Sequence, residues 1–201
     1  MLVRWLPVRL QRNATLNVGG LLRSSYLLYF SNPAADRVLF KAMKDRPIRS
    51  IVELGIGFSG RTKRLFEVAA WQRHSEPLRY TGIDLFEARP ASNPGLSLKA
   101  AFADLRLPDV KVQLVPGDPQ MALRRVCNSL TGTDLLLIAA DQDRASLAQA
   151  WTWVPRMLTA ESLIFLEEAG PQPHKNQWRQ LQVEEVSKLA AEASRSLRRA
   201  A

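Results

Sequence analysis

The sequence predicts an α/β protein whose doubly wound, mainly parallel sheet has five strands in the order 3-2-1-4-5, with helices on both faces. Three observations lead to this prediction. Strand-like and helix-like segments alternate from residue 49 onward, a glycine-rich loop follows the first strand, and the fourth strand carries an unbroken apolar run. Alternation of this kind implies right-handed crossovers and a parallel sheet covered on both sides.

The predicted elements follow one another in a regular order. Short β-rich runs bounded by glycine, proline or polar residues predict strands at residues 50–54, 79–85, 110–115, 134–140 and 162–166. Apolar residues at helical spacing predict helices at residues 33–44, 61–71, 97–105, 119–130, 145–158 and 176–200. The apolar fourth strand suits burial on both faces. No convincing sixth or seventh strand follows, so we expect the sheet to stop at five strands.

Residues 1–48 are predicted to form a basic helical arm, and residues 49–201 an α/β domain with a C-terminal helix, together one compact domain. Of the formal net charge of +9, nine Lys or Arg residues against two Asp residues at positions 1–49 account for +7. Such an arm suits an anionic substrate, a nucleic acid or a membrane surface, although no RNA-binding motif is present. The first 35 residues contain no acidic residue, which fits either an organellar transit peptide or, as we favour, an ordinary N-terminal helix.

Two further features bear on the cellular compartment. No apolar run approaches the roughly 18–20 residues that span a bilayer, so we expect no transmembrane segment. Cys127 is the only cysteine, which rules out an intrachain disulfide and fits a reducing compartment. These observations predict a cytoplasmic protein, with the Cys127 thiol filling space on a helix face.

The glycine-rich loop, residues 55–60, joins the first strand to its helix. Glycine permits a tight turn and a close approach of a ligand to the backbone, and the helix that follows offers unpaired N–H groups. Gly55, Gly57 and Gly60 satisfy the pattern G-x-G-x-x-G, which by itself is a weak dinucleotide signal. Glu53 precedes the loop. A carboxylate there suits a ligand with an ammonium and a sulfonium group and would repel a pyrophosphate.

Acidic residues also follow the next three strands. Asp84 ends the second strand, where a carboxylate can accept both hydroxyls of a ribose, and Asp118 follows the third strand, within reach of an adenine amino group. Asp141 follows the fourth strand. Ligands of open parallel sheets bind beyond the carboxyl ends of the strands. The convergence of these acids with the glycine loop predicts a site for a nucleoside-type cofactor.

Four segments in this order resemble class I S-adenosylmethionine-dependent methyltransferases: residues 51–60, 83–86, 116–118 and 136–141. The resemblance covers about residues 49–168 and implies a Rossmann-like fold with S-adenosylmethionine as cofactor. By this resemblance the glycine loop holds the methionyl part, Asp84 the ribose, and Asp118 lies near the adenine. The predicted cofactor contacts are Glu53, Gly55, Gly57, Ser59, Gly60, Arg61, Asp84, Leu85, Gly117, Asp118 and Asp141. Full members of the family carry further strands after the fifth, so this chain is predicted to be a truncated member.

Catalytic groups are sparse in the sequence. The candidate acids and bases are Asp141 and Asp143, after the fourth strand, and His174, in a proline-containing loop after the fifth. Asp143 also fits a cap of the helix that follows it, and His174 an exposed loop position. No metal site is predicted, because His74 and His174 are the only histidines and neither has ligand spacing with other candidates.

The predicted function is transfer of a methyl group by in-line displacement to a small-molecule or anionic acceptor that the sequence does not identify. Two alternatives stay open. The missing strands fit a non-catalytic nucleoside-binding or S-adenosylmethionine-binding module on the same fold. The glycine pattern permits an NAD(P)-dependent oxidoreductase, although no Tyr-x-x-x-Lys pair is present. An uncovered edge after the fifth strand would favour a homodimer.

Overall fold

The computed structural model describes residues 18–72, 76–170 and 176–200. Its sheet has the strand order β3-β2-β1-β4-β5-β6. The strands are β1 Ser50–Leu54, β2 Leu78–Asp84, β3 Val110–Pro116, β4 Thr133–Ile138, β5 Leu158–Glu168 and β6 Gln177–Leu181. The first five pair in parallel, and β6 runs antiparallel to β5. The predicted fold class and the order of the first five strands are confirmed.

Helices cover both faces of this sheet. They are α1 Val18–Ser25, α2 Arg37–Lys44, α3 Gly60–Ala70, α4 Leu98–Leu105, α5 Pro119–Val126, α6 Arg144–Ala150 and α7 Val183–Ala200. Successive residues of a strand point to opposite faces, so β4 divides its side chains between two apolar clusters. Leu135 and Leu137 pack in the cluster with α2, α3 and α4, whereas Leu136 and Ile138 pack in the cluster with α5, α6 and α7. The apolar run of β4 is therefore buried on both sides, as predicted.

The described part of the N-terminal region packs against the sheet domain. A π-helical turn, Tyr26–Phe30, continues α1 and buries Leu27 and Leu28 in the first cluster, together with Phe40 from α2. The carboxylate of Asp36 is buried and accepts a 2.9 Å hydrogen bond from Arg64 on α3. Residues 1–17 of the predicted basic arm lie outside the described residues.

The strand β6 corrects the prediction for residues 177–181, which were expected to begin the C-terminal helix. The expectation that no strand follows the fifth was wrong. Trp178 is buried in the first cluster, and its Nε1 donates to Oδ1 of Asp36 at 3.2 Å. The backbone of β6 pairs with residues 164–168 of β5. Tertiary contacts produce this pairing, and local helical periodicity does not reveal them. The pairing covers the edge of β5 that was predicted to be open to a second copy of the chain.

Two predicted helices end earlier than expected. The helix predicted to reach residue 158 stops at Ala150, because Pro155 lacks an N–H donor and its ring excludes a continuous helix. The helix predicted to reach residue 130 stops at Val126 and continues as a 3₁₀ turn, in which Cys127 is buried among apolar side chains. Within the three described ranges, no helix has the length and apolar character that crossing a membrane requires.

Candidate functional site

A cavity of about 310 Å³ lies where the carboxyl ends of β1, β4 and β5 meet. It is at the lower end of the volumes of small-molecule sites, roughly 300–1,000 Å³. Its lining includes Gly55, Gly57, Arg61, Arg89, Asp141 and Glu167. A larger cavity of about 820 Å³ lies at the opposite end of the sheet, where β2 and β3 begin. The smaller cavity is the candidate site, because four of the predicted cofactor contacts line it, namely Gly55, Gly57, Arg61 and Asp141.

The glycine loop forms one wall of this cavity. Gly55 has a φ of +86° and Gly57 a φ of +58°, in the left-handed region that favours glycine. A Cβ atom on Gly55 would lie 2.8 Å from Oδ1 of Asp141 and 2.9 Å from Cβ of Ala139. The loop therefore packs directly on the residues that follow β4, at a separation that only glycine permits.

Glu53 lies beneath the loop with its carboxylate completely buried. Its Oε1 accepts a hydrogen bond from Nε of Arg61 at 3.0 Å, and its Oε2 accepts from the hydroxyls of Thr62 at 2.7 Å and Tyr80 at 2.8 Å. Burial, and the neighbouring Glu53 carboxylate, raise the pKa of Tyr80, so the phenol stays a donor at neutral pH. Both carboxylate oxygens of Glu53 thus accept hydrogen bonds from within the protein, and one of them fixes the position of Arg61.

Arg61 opens α3 and faces the cavity. Besides Glu53, its guanidinium donates to the carbonyl oxygen of Gly55 at 3.0 Å and lies 3.9 Å from Oε2 of Glu167. The same group stacks over the ring of Trp178, with 5.1 Å from Cζ to the ring centroid. Burial alone would lower the pKa of Arg61, but the charges of Glu53 and Glu167 outweigh it and raise the pKa. Arg61 is therefore a fixed cation at the wall of the cavity.

Asp84 ends β2 and ties the glycine loop to the next segment. Its Oδ2 accepts hydrogen bonds from the amides of Ile56 at 2.7 Å and Gly57 at 2.9 Å, and its Oδ1 accepts from the amide of Phe86 at 3.1 Å. Arg89 donates to both oxygens, from Nε at 2.6 Å and from Nη2 at 2.7 Å. Burial would raise the pKa of Asp84, but these hydrogen bonds outweigh it and lower the pKa.

Asp141 completes the site from the end of β4. Its Oδ2 accepts from Nη1 of Arg89 at 2.7 Å and from Nδ2 of Asn93 at 3.0 Å. Burial would raise the pKa of Asp141, but the hydrogen bonds from Asn93 and Arg89 outweigh it and lower the pKa. The carboxylate is therefore ionised at neutral pH, and a lowered pKa makes it a weak proton acceptor.

The charged groups around the cavity form two similar units. Arg61 bridges Glu53 and Glu167, and Arg89 bridges Asp84 and Asp141. Each unit sets one guanidinium against two carboxylates, so the described groups carry a formal charge of −2. A site with an excess of negative charge attracts a cationic ligand and disfavours an anionic one.

Four further predicted cofactor contacts, Ser59, Gly60, Leu85 and Gly117, lie just beyond the ends of strands. The hydroxyl of Ser59 donates to Asp104 on α4, and Gly60 begins α3. Gly117 has a φ of +133°, and Leu85 is 38% exposed just beyond β2. None of these four residues lines the cavity.

Asp118 and Asp143 both cap helices. Oδ1 of Asp118 accepts from the amides of Gln120 and Met121, and Oδ2 of Asp143 accepts from the amide of Ser146 at 2.7 Å. Asp118 also accepts a hydrogen bond from the Ser146 hydroxyl. The third predicted acid or base, His174, lies outside the described residues.

Sequence reasoning did not select several residues that build this site. Arg89 and Asn93 lie between β2 and α4, and Asn176 donates to Glu167 at 3.2 Å from the segment before β6. Glu167 is not among them, since the strand-end rule that selected Asp84 and Asp141 also places this acid on the substrate side at the end of β5. Arg89 and Asn93 carried no signal, because their segment has no regular pattern. Within the described ranges, no group of three or more His, Cys, Asp or Glu side chains is placed to hold a metal ion.

No protein-family model matches this chain, and no curated protein matches it in sequence. Some solved structures resemble it. A TehB-like SAM-dependent methyltransferase from Corynebacterium glutamicum has 16% identity and a TM-score of 0.48 over 88% of this chain and 80% of that one. The precorrin-6y C5,15-methyltransferase from Geobacter metallireducens has 15% identity and a TM-score of 0.43 over 68% and 62%. The MycE methyltransferase from the mycinamycin biosynthetic pathway, in complex with Mg and SAH, has 15% identity and a TM-score of 0.42 over 75% and 35%.

The chain thus spans less than two thirds of the last two structures. At these identities the likeness concerns the fold alone. The sheet order and the glycine loop after β1 confirm the predicted doubly wound α/β fold class, with β6 added to the five predicted strands.

Proposed function

We propose that this protein binds S-adenosylmethionine in the cavity at the glycine loop and transfers its methyl group to a small-molecule or anionic acceptor. The observation that carries the proposal is the pair of arginine-centred units, which places four carboxylates around the glycine loop. The predicted contacts Gly55, Gly57, Arg61 and Asp141 all line the cavity.

The charge of the site supports this cofactor over a dinucleotide. S-adenosylmethionine carries one carboxylate, one ammonium and one sulfonium group, so its net charge is +1. The pyrophosphate of NAD(P) carries two negative charges and would face the excess of carboxylates without a free cation among the residues that line the cavity. Arg61 and Arg89 are both engaged by carboxylates. The charge of the site therefore favours a methyltransferase over an NAD(P)-dependent oxidoreductase.

Specific residues would hold each part of the cofactor. The Gly55–Gly57 backbone would approach the methionyl part, the Asp141 and Glu167 carboxylates would favour its positive charges, and Asp84 would accept the ribose hydroxyls. When bound, the cofactor supplies an electrophilic methyl group on sulfur. The protein would accelerate transfer mainly by holding the acceptor in line and excluding water.

The described residues offer no strong base for the acceptor. Asp141 has a lowered pKa, and Asp143 uses its carboxylate to cap α6. We therefore propose an acceptor whose nucleophile carries a free lone pair at neutral pH. The excess of positive charge in residues 1–49 suits an acceptor that carries anionic groups away from its nucleophile.

The test is calorimetric titration with S-adenosylmethionine, S-adenosylhomocysteine, NAD and ATP, on wild type and on Asp84→Asn. Asp134→Asn is the matched control. Its carboxylate also accepts two backbone amides, those of Arg49 at 2.8 Å and Ser50 at 2.9 Å, but lies at the other end of the sheet. We expect S-adenosylmethionine and S-adenosylhomocysteine to bind and NAD and ATP not to bind. The affinity should be lost in Asp84→Asn and kept in Asp134→Asn.

Three outcomes would change the proposal. If NAD binds and S-adenosylhomocysteine does not, the oxidoreductase is selected. If neither S-adenosylmethionine nor S-adenosylhomocysteine binds, the methyltransferase is rejected. Binding of S-adenosylmethionine without formation of S-adenosylhomocysteine in the presence of any of a panel of acceptors would favour the non-catalytic module.

A further inference from the structure

The carboxylate of Asp84 has no acceptor capacity left in this structure. Its two oxygens receive five donors, three from backbone amides and two from Arg89. Two carboxylate oxygens offer about four lone-pair positions in all. A ribose would approach this carboxylate with two neighbouring hydroxyl donors, which is the same two-pronged pattern that the guanidinium presents.

Arg89 is held in place by the segment that follows β2. This segment, residues 86–97, is here called the strap, and it crosses the glycine loop. The amide of Leu96 donates to the carbonyl oxygen of Gly57 at 2.9 Å. A Cβ atom on Gly95 would lie 2.8 Å from Cδ of Arg89 and 3.1 Å from the Gly57 oxygen, so the Arg89 side chain passes against the strap backbone. The Arg89 side chain is only 6% exposed.

The root of the strap is in an unfavourable backbone conformation. Phe86 has a φ of +48°, a region that bulky residues other than glycine rarely adopt. The hydrogen bond from its amide to Asp84 holds it there. Asp84 therefore anchors the start of the strap through a hydrogen bond that does not involve Arg89.

We infer that Arg89 is a latch on the cofactor site: it occupies Asp84 in the closed state and must leave before a ribose can bind, which couples ligand entry to movement of the strap. The inference rests on the proposed function and adds a residue that decides access to its site. Arg89 has a second partner in Asp141, whose side chain is 31% exposed. Asp84 keeps three amide donors when Arg89 leaves. Neither charge is then left buried and unpaired, so the exchange avoids the cost of an uncompensated ion.

The first measurement compares the affinity for S-adenosylhomocysteine of wild type, Arg89→Ala and Arg89→Lys by titration calorimetry. We expect Arg89→Ala to bind roughly ten- to a hundredfold more tightly, the range for removal of competing hydrogen bonds to a charged group. Arg89→Lys keeps the charge but not the two-pronged geometry, so we expect an intermediate affinity. Arg179→Ala is the matched control. Arg179 also bridges two carboxylates, Glu168 and Glu185, but its side chain is 43% exposed on β6, and its loss should leave the affinity unchanged.

The second measurement follows hydrogen exchange of the Leu96 amide, which the closed strap protects through Gly57. In wild type we expect S-adenosylhomocysteine to speed this exchange, and in Arg89→Ala we expect it to be fast without ligand. This readout also decides the question if Arg89→Ala is too unstable to titrate, because Arg89→Lys and wild type suffice for it.

The outcomes separate the latch from the proposed function. Equal affinity in wild type and Arg89→Ala, or weaker binding in Arg89→Ala, would overturn the latch while the cofactor assignment stands. Binding by Arg89→Ala alone would support both. Absence of binding by every variant would reject the proposed function and the latch with it.

Discussion

The hydroxyl of Tyr80 on β2 lies 2.8 Å from Oε2 of Glu53 on the neighbouring strand β1, in the buried layer below the glycine loop. The bond matters because Glu53 in turn holds Arg61 at the wall of the cavity through Oε1. A core tyrosine thereby supports a cation of the candidate site without contacting the cavity itself.

Replacement of Tyr80 by phenylalanine should destabilise the protein. The change removes one donor from a completely buried carboxylate, and we expect a loss of about 1–3 kcal/mol in the free energy of unfolding, measured by urea denaturation. Tyr29→Phe is the control, since Tyr29 is 54% exposed and its change should stay within about 0.5 kcal/mol. Equal effects of the two substitutions would show that the Tyr80 hydrogen bond contributes nothing.

Two tryptophans allow a second comparison. Nε1 of Trp178 donates to the buried carboxylate of Asp36, whereas Nε1 of Trp153 is buried with no hydrogen-bond partner among the described residues. Trp178→Phe should therefore cost about 1–3 kcal/mol more than Trp153→Phe, because only the first leaves a charged acceptor with one donor fewer. Urea denaturation of both variants measures the difference. A larger loss for Trp153→Phe would contradict a stabilising role for the hydrogen bond between Trp178 and Asp36.

Gly55 and Gly132 share a positive φ but differ in their surroundings. Gly132 has a φ of +76° with nothing within 4 Å of a Cβ position, while a Cβ on Gly55 would collide with Asp141 and Ala139. Gly132→Ala should cost about 1–2 kcal/mol through backbone strain alone. Gly55→Ala should cost more and should also abolish binding of S-adenosylhomocysteine. If both variants bind equally well by calorimetry, the loop does not approach the ligand closely.

Acid should destabilise the protein through carboxylates whose pKa is lowered in the folded state. The pKa values of Asp84, Asp141 and Asp118 lie below their ordinary value of 3.8 in the folded protein. A depressed pKa stabilises the fold above the unfolded pKa, and this stabilisation is lost as the pH falls through the folded pKa. The free energy of unfolding should be nearly constant between about pH 7 and 5 and fall below about pH 4.

The Asp84→Asn variant provides the check on this pH dependence. It removes one of the titrating groups, so its free energy of unfolding should fall less steeply in acid than that of wild type. Urea denaturation at several pH values measures both slopes. A stability that rises on acidification below pH 4 would contradict the assignment.

Much of the architecture follows from local rules that a sequence expresses directly. The alternation of strands and helices predicted the order of β1 to β5, because right-handed crossovers leave few topologies open. The strand-end rule brought Asp84 and Asp141 to one edge of the sheet, where both now bind Arg89. The glycine pattern predicted the tight loop, and Gly55 and Gly57 indeed adopt positive φ.

Other features depend on contacts between distant segments. Residues 177–181 have the local appearance of a helix, and only pairing with β5 makes them a strand. The ammonium-binding role predicted for Glu53 assumed an open carboxylate, but Thr62 and Tyr80 enclose it. The strap carries no periodic pattern, so nothing in its sequence connects Arg89 with Asp84.

The sequence by itself determined the fold class, the glycine loop and the edge of the sheet at which a ligand would bind, since each follows from chain topology and backbone freedom. Only the tertiary structure decided which carboxylates are free and which are occupied. Asp84 and Glu53 look alike as acids at strand ends, yet the partner Arg89 lies 5 residues from Asp84 in the chain and the partner Tyr80 lies 27 residues from Glu53. A hydrogen bond acts only at contact distance, and packing alone sets which donors come that close.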